Sequence, residues 1–267
     1  MAEENLRDVL RWEEGKVASR PDELAEEEPL EIRVRGRAIS VTMRTPGNDE
    51  ELAAGFLVTE GVVGGAGDIL RIEHCGRNEF GNVLNVVLAP EVVVDLERLT
   101  RHVFASSSCG LCGKATIDAI AQRHRPVLSD VRVSAERVLA MPETMRASQA
   151  TFSRTGGLHA AAIFDSDGKL IVVREDVGRH NAVDKVIGFS LRNGSFPLDR
   201  HVMLVSGRLS FEIVQKALAA GIALVAGLSA PSTLAVDFAR SCGQTLIGFL
   251  REQRMNVYCG SDRIAGV

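Results

Sequence analysis

Apolar and polar residues alternate with a period of two over residues 30–34 and again over residues 39–43. Successive side chains of a strand point to opposite faces, so this pattern predicts two strands joined as a hairpin. A helix is predicted next, because Asn48 and Glu51 have the spacing of a capping box and Gly61 can end the helix. Two further strands are predicted at residues 69–75 and 82–88.

From residue 160 onward, short apolar runs of strand length alternate with amphipathic runs of helix length. Strands that alternate with helices at this spacing predict βαβ crossovers and a parallel sheet. We therefore expect a three-layer α/β/α core over residues 126–267. The predicted strands are residues 160–164, 170–174, 202–205, 223–226 and 245–249, and the predicted helices are residues 181–192, 210–220 and 233–242.

The chain before this core divides into two parts. Residues 1–29 are rich in acids near their end, which predicts an acidic, solvated N-terminal tail. Residues 30–125 predict a smaller mixed α+β subdomain that ends in a Cys-x-x-Cys loop and a following helix. Helices are predicted at residues 114–122, 134–141 and 143–153, with Pro142 separating the last two.

Composition excludes several classes of protein but does not indicate a particular activity. The 267 residues are 45% hydrophobic and 25% charged, with a net charge of -4, which is typical of a globular protein and not of a disordered or fibrous one. The acidic balance and 4% aromatic content argue against nucleic-acid binding. No apolar run has the length of a membrane helix, and the charged start does not resemble a signal peptide, so we expect a cytoplasmic protein.

The segment SSSCGLCG at residues 106–113 contains the one pair of cysteines that are close in sequence, Cys109 and Cys112. The positive end of the following helix and Lys114 would both favour a thiolate, which is the nucleophilic form of cysteine. Four interpretations stay open: two incidental cysteines, half of a zinc site, a thioredoxin-like dithiol, or a nucleophile that takes up sulfane sulfur as a persulfide. A second Cys-x-x-Cys pair for zinc is absent from the sequence, and we predict no bound metal.

Polar side chains cluster where predicted strands end. Arg179 and His180 stand between a strand and a helix, the position at which open α/β sheets bind anionic ligands. Ser206 follows the next strand, and His159 follows a pair of glycines. We expect these residues to contribute to one anionic pocket, with solvated loops and local ion pairs as the alternative.

Three further charged residues near the end of the strand before Arg179, and the segment at the end of the last predicted strand, are expected in the same pocket. Lys185 is expected to meet phosphate beside Arg179 and His180, while Asp176 and Asp184 orient the cations. A third strand end with arginines then completes the predicted pocket. It consists of Phe249, Leu250, Arg251, Glu252, Gln253 and Arg254.

Six segments of the chain match those of one known family: RTPGNDEELAAGFLVTEGVV, SSSCGLCG, TGGLHAAA, REDVGRHNAVDKVIG, VSGRLSFEIVQKA and GFLREQRMNVY. Together they resemble the FdhD family of formate dehydrogenase accessory sulfur carriers. The resemblance covers residues 27–264, and this combination of segments is far more specific than Cys-x-x-Cys alone.

This resemblance implies a specific activity. Cys109 would accept sulfur from a cysteine desulfurase as a persulfide, with Cys112 as the second cysteine. The sulfur would pass to the molybdenum cofactor, as bis-molybdopterin guanine dinucleotide, before the cofactor is inserted into formate dehydrogenase. The resemblance also implies that residues 249–254 bind the cofactor, that the core is cytidine deaminase-like, and that the protein is a homodimer. A cofactor-binding chaperone and a dithiol oxidoreductase without sulfur transfer are the alternatives.

Overall fold

The computed structural model describes residues 5–76, 81–95 and 126–267. Within these ranges it forms a mixed α/β protein, as the alternation of strands and helices predicts. The helices are α1 (Asp49–Thr59), α2 (Ala135–Ala147), α3 (Ala150–Thr155), α4 (Arg179–Arg192), α5 (Phe211–Ala219) and α6 (Thr233–Ser241). The strands are β1 (Leu6–Glu13), β2 (Lys16–Glu23), β3 (Glu28–Val34), β4 (Arg37–Arg44), β5 (Ile69–His74), β6 (Val83–Leu88), β7 (Val133–Ser134), β8 (His159–Phe164), β9 (Leu170–Asp176), β10 (Val202–Val205), β11 (Leu224–Gly227), β12 (Thr245–Arg251), β13 (Arg254–Cys259) and β14 (Ile264–Ala265).

The larger of the sheets has six strands in the order β13-β12-β11-β10-β8-β9. Strands β10, β11 and β12 are parallel and are connected through α5 and α6, as predicted. Strand β8 runs antiparallel to both β9 and β10, and β13 runs antiparallel to β12. The central strands are buried along their whole length, which explains why they appear in the sequence as continuous apolar runs.

Two apolar clusters lie on the two faces of this sheet. One face packs against α1, α4, α5 and α6, and includes Ile163 and Val225 from the strands. The other face packs against α2 through Val138, Met141 and Met145. The described helices therefore cover both faces of the six-stranded sheet, with helices on each side.

A second sheet has four strands in the order β4-β3-β6-β5, with α1 packed on one face. Helix α1 crosses α4 at two glycines. A Cβ atom on Gly55 would lie 1.8 Å from the carbonyl oxygen of Asp184, and one on Gly188 would lie 1.8 Å from the carbonyl oxygen of Glu51. Only glycine permits backbones to approach this closely, so the crossing of α1 and α4 depends on both residues.

Three local predictions were wrong. The predicted solvated tail contains a β1–β2 hairpin. Asn48 does not cap α1 with its side chain, because its backbone is left-handed with φ 58°, and Glu51 binds Arg174 instead of closing a capping box. Pro142 does not separate two helices but lies inside α2. Proline removes one backbone donor, and burial of the α2 face against the sheet outweighs that loss.

Candidate functional site

The carboxyl ends of β9, β10, β11 and β12 lie on one edge of the six-stranded sheet, together with the first residues of β8 and β13. This follows from the pairings His159–Asp176, Val205–Ala161 and Arg251–Arg254. The N-termini of α4, α5 and α6 follow directly from these strand ends. Each helix N-terminus exposes unpaired amide groups and a positive partial charge, so this edge favours anions.

A buried carboxylate fixes the turn between β9 and α4. Oδ1 of Asp176 accepts hydrogen bonds from the amide of Gly178 at 2.8 Å and from Nδ2 of Asn181 at 2.9 Å. Its Oδ2 accepts the amide of Thr45 at 3.2 Å and lies 2.7 Å from Nζ of Lys185. The turn is thus held rigidly to the loop between β4 and α1, and it presents the first residues of α4 at the sheet edge.

Two of the expected phosphate-site residues lie elsewhere. Lys185 is 1% exposed and donates to the carbonyl oxygen of Thr45 as well as pairing with Asp176, so the expectation that it meets phosphate is wrong. Asp184 faces the α1 side, where it pairs with Lys216 and accepts a hydrogen bond from Thr59. Both side chains are buried, and burial of these charges requires a partner.

Arg179 and His159 converge at Gly207, in the loop after β10. The position of a Cβ atom on Gly207 would be 3.6 Å from Nδ1 of His159 and 3.7 Å from Cδ of Arg179. Nε of Arg179 is buried and has no hydrogen-bond partner within the described residues. The pKa of His159 is lowered from its usual value, mainly by burial and further by the charges of Arg179 and His180. Around neutral pH His159 is therefore an uncharged group beside an arginine with unused donor capacity.

His180 belongs to a second contact that the sequence did not predict. Its Nε2 lies 3.4 Å from Oε2 of Glu212, within ion-pair distance but without a hydrogen bond among the described residues, and the same oxygen accepts a hydrogen bond from Oγ of Ser210 at 3.0 Å. These contacts, with the His180 contact as the main cause, lower the pKa of Glu212 to about 2. The sequence signal for this contact is weak, because Ser210 and Glu212 resemble an ordinary helix start.

Ser206 has a structural contact at the same edge. Its Oγ accepts the amide of Ala160 at 2.9 Å, and its own amide donates to the carbonyl oxygen of Ala160 at 2.9 Å. The hydroxyl therefore extends the ladder between β8 and β10 by one step. Its proton stays available to an acceptor, since the hydroxyl acts here only as an acceptor.

The predicted segment at residues 249–254 forms the hairpin between β12 and β13. Phe249 has a left-handed backbone, φ 50°, at an irregularity of the strand pairing, and its side chain is 41% exposed. Leu250 is fully buried in the core, so only its backbone can reach a ligand. Nη1 of Arg251 donates to the carbonyl oxygens of Leu228 and Leu250. The remaining residues of the segment are exposed: Glu252, Gln253 and Arg254.

The structure thus divides the predicted pocket into two groups on the same edge. His159 on β8 and the β12–β13 hairpin are three strand spacings apart, or about 14 Å. The loops after β10 and β11 lie between them. Such a separation is suited to an elongated ligand that contacts both groups, and it is too large for one phosphate.

The expected reactivity of the Cys-x-x-Cys pair is inferred from the sequence alone. Cys109, Cys112 and the helix predicted at residues 114–122 lie outside the described residues. Burial raises the pKa of the Cys242 and Cys259 thiols, so both are poor nucleophiles near neutral pH. Within the described ranges, no group of His, Cys, Asp and Glu residues could hold a metal ion. None of the described helices is long and apolar enough to cross a bilayer.

Comparison with known proteins relates this geometry to a family. The chain is 53% identical over 268 residues to a sulfur carrier protein FdhD of Streptomyces coelicolor, which covers 97% of this chain and 95% of that protein. It is 51% identical to a sulfur carrier protein FdhD of Mycobacterium tuberculosis, with 97% of each chain covered. A crystal structure described as a formate dehydrogenase accessory protein, from Desulfotalea psychrophila, superposes with a TM-score of 0.78 at 25% identity, covering 97% of this chain and 98% of that one. The FdhD/NarQ family matches residues 25–265; the chain belongs to the FdhD/NarQ family.

Proposed function

We propose that this chain is a sulfur carrier that serves a formate dehydrogenase. It takes persulfide sulfur from a cysteine desulfurase onto Cys109 and transfers it to bis-molybdopterin guanine dinucleotide, which is its substrate. The observation that carries the proposal is the edge of the six-stranded sheet, where two groups of polar side chains stand about 14 Å apart. The names of the relatives support the same role, as sulfur carriers and as a formate dehydrogenase accessory protein.

The edge has the chemistry that a nucleotide-containing substrate requires. Nε of Arg179 is buried and has no hydrogen-bond partner in the part of the chain that the structure describes, so it and the first amides of α4 are donors for phosphate oxygens. At the other group, the half-exposed ring of Phe249 can pack on a guanine base, and Arg254 is free of the core and can reach a phosphate. A guanine dinucleotide arm lying along the edge would contact both groups. The predicted homodimer would provide such an edge on each copy.

Sulfur uptake at Cys109 is a thiol exchange. The Cys109 thiolate attacks the terminal sulfur of the donor persulfide, a sulfur–sulfur bond forms, and the desulfurase cysteine leaves as a thiolate. In the release step, the Cys112 thiolate attacks the Cys109 sulfur and the terminal sulfur leaves as hydrosulfide. The two electrons come from the two cysteines, which become a disulfide that a cellular thiol must then reduce. This step gives both cysteines of the loop a function.

Mass spectrometry tests the carrier function directly. After incubation with a cysteine desulfurase and cysteine, the parent protein should gain about 32 mass units for each sulfur bound. Cys109→Ala should gain none and should fail to support formate dehydrogenase maturation, while it remains folded. Cys112→Ala should hold the persulfide on Cys109 longer than the parent does.

Other outcomes identify the alternatives. A mass loss of about two hydrogens in the parent, together with no sulfur gained by Cys112→Ala, would identify a dithiol oxidoreductase, because the carrier also ends as a disulfide but only after a persulfide has formed on Cys109. An unchanged mass with retained cofactor binding would identify a chaperone. A fully active Cys109→Ala variant would end the persulfide mechanism.

Calorimetry with GDP, a fragment of the substrate, tests the binding edge. Arg254→Ala should weaken GDP binding by about tenfold to a hundredfold, because a charge-assisted contact is worth about 1.5–3 kcal/mol. Arg137→Ala is the matched control, since Arg137 contacts Asp167 in the β8–β9 turn, at the opposite edge of the sheet. Equal GDP affinity in Arg254→Ala and the parent would remove the hairpin from the binding site and leave the role of Cys109 standing.

A further inference from the structure

One residue at the binding edge has a charge that phosphate binding does not explain. The first turns of α4 and α5 carry a positive partial charge, and Arg179 adds a full one. Glu212, in the first turn of α5, places a carboxylate among them. Because like charges repel, this carboxylate opposes the binding of a ligand that is only a phosphate. The edge is therefore suited to a ligand that also has donors for a carboxylate to bind.

The Glu212 carboxylate has acceptor capacity that the protein leaves unused. Its Oε2 accepts a hydrogen bond from Oγ of Ser210 at 3.0 Å, whereas no hydrogen bond from any described residue reaches its Oε1. The side chain is 37% exposed. Its pKa, lowered to about 2, keeps it ionised at neutral pH, so both oxygens act only as acceptors. A carboxylate has about four lone-pair sites, and Ser210 occupies one of them.

Two neighbouring side chains also lack partners. Nε of Arg179 and Nε2 of His180 are buried and form no hydrogen bond with the parts of the chain that the structure describes. Most buried polar atoms of folded proteins are hydrogen-bonded, so two such atoms in consecutive residues indicate a cluster that a ligand completes. We call Arg179, His180, Ser210 and Glu212 the Glu212 cluster. It combines positive charge with one carboxylate.

The chemistry of the carboxylate narrows the class of ligand. A carboxylate binds most strongly to two N–H donors that stand side by side, as in its fork-like pairs with arginine. A 2-amino-4-oxopyrimidine ring offers the same arrangement, because its ring N–H stands beside its 2-amino group. The substrate proposed above contains this ring twice in each arm, in guanine and in the pterin of molybdopterin. Neither of its phosphates offers such donors.

Position favours the pterin over guanine. The proposed function places guanine on Phe249 of the β12–β13 hairpin, about 14 Å from His159 on β8. The Glu212 carboxylate lies at the β8 side of the edge, since its Oε2 is 3.4 Å from Nε2 of His180. In a guanine dinucleotide arm, guanine and pterin are at opposite ends of the diphosphate. An arm with its guanine at the hairpin therefore extends its pterin end toward Glu212.

We infer that the Glu212 carboxylate binds the pterin ring of molybdopterin through the ring N–H and the 2-amino group. This inference rests on the proposed function, because that substrate is what brings a pterin to the edge. Arg179 and the first amides of α4 remain donors for phosphate oxygens beside the ring. Glu212 then determines specificity, because a site built to accept a hydrogen bond discriminates strongly against a ligand that lacks the donor.

Calorimetry at pH 7 with two small pteridines tests this contact. Pteridin-4-one differs from pterin only in lacking the 2-amino group, so the parent should bind pterin about tenfold or more tightly than pteridin-4-one. Glu212→Gln should lose most of this preference, because its amide offers one acceptor oxygen in place of two. Its affinity for GDP should not fall, since guanine binds at the hairpin. Glu143→Gln is the matched control: it removes the same charge from an exposed position on α2 and should keep the preference of the parent.

Each opposite result overturns the inference. A parent that binds the two pteridines equally, or that binds no pterin at millimolar concentration, would refute the contact. Equal weakening of both pteridines by Glu212→Gln would show that the carboxylate only holds His180 or α5 in place. A loss of GDP affinity in this variant, with an unchanged preference for pterin, would place guanine in the Glu212 cluster.

Failure of this inference is distinguishable from failure of the proposed function. Persulfide formation needs a thiolate at Cys109 and not a carboxylate at residue 212, so Glu212→Gln should gain the same mass as the parent after incubation with a desulfurase. A parent that gains sulfur but has no preference for pterin would leave the carrier role standing and remove the pterin contact. Circular dichroism on every variant verifies that the core remains folded.

Discussion

Replacing Lys185 by methionine tests the buried carboxylate that holds the turn between β9 and α4. Lys185 is 1% exposed and its Nζ lies 2.7 Å from Oδ2 of Asp176, which is fully buried. Methionine keeps most of the volume but leaves the Asp176 carboxylate without its counter-charge. Removing one partner of a buried ion pair costs about 3–5 kcal/mol. Because Asp176 keeps three hydrogen-bond donors, from Thr45, Gly178 and Asn181, we expect the lower end, about 3 kcal/mol.

The assay is denaturant unfolding at pH 7 together with a thermal melt. A loss of about 3 kcal/mol corresponds to a melting temperature lower by roughly 6–12 °C for a chain of this size. Lys169→Met is the matched control, because Lys169 is exposed and its replacement should change stability by less than about 0.5 kcal/mol. A double-mutant cycle with Asp176→Ala should give a coupling energy of about 1–3 kcal/mol.

Two results would refute this reasoning. A Lys185→Met variant within about 1 kcal/mol of the parent would mean that the buried pair contributes little beyond its packing. Additive effects of Lys185→Met and Asp176→Ala would mean that the two side chains do not act on each other, whatever their distance.

The remaining predictions concern a pH-dependent contact and a helix crossing. In the parent, the pKa of Glu212 is lowered from 4.5 to about 2, so this carboxylate stabilises the folded state above pH 4.5 and the contribution is lost as pH falls toward 2. Unfolding free energies measured at several pH values should show a shallower acid slope in Glu212→Gln, and identical slopes would contradict the contact. Gly188→Ala should destabilise the protein by about 3 kcal/mol or more in a thermal melt, because its Cβ would lie 1.8 Å from the carbonyl oxygen of Glu51. Gly64→Ala is its control, since the nearest atom there is a side-chain oxygen at 3.8 Å, and equal melting of the two variants would count against the crossing.

Much of the core was predictable from the sequence because each of its strands and helices has a recognisable local pattern of apolar and polar residues. The runs at β10, β11 and β12 are short, apolar and separated by amphipathic segments, and this pattern alone indicates buried parallel strands. The position of Arg179 at a helix start after a strand follows from the same pattern. Sequence therefore placed the anion-favouring edge before any contact was known, since strand ends of a parallel sheet share one edge.

The wrong predictions concern residues whose local sequence indicated one contact, while the packed structure gives them another. Asn48 and Glu51 have the spacing of a capping box, but Arg174, far along the chain, draws Glu51 into an ion pair. Lys185 stands in a polar segment, yet its face of α4 turns inward and Asp176 neutralises it. Spacing cannot identify Arg174 as the partner of Glu51, because that contact forms only when β9 packs beside α1, and it cannot show that Lys185 is buried against Thr45 in the loop after β4.

What the sequence by itself determined is most of the core strands and helices, the edge on which charged strand ends meet, and, through its family resemblance, the role expected of Cys109. Tertiary structure alone decided which of those charges are available. It buried Lys185, placed Glu212 beside His180, and separated His159 from the β12–β13 hairpin by about three strand spacings. The physical reason is that hydrophobic periodicity shows which side of a single strand or helix faces solvent. Which charged side chains form pairs depends instead on which elements pack against each other.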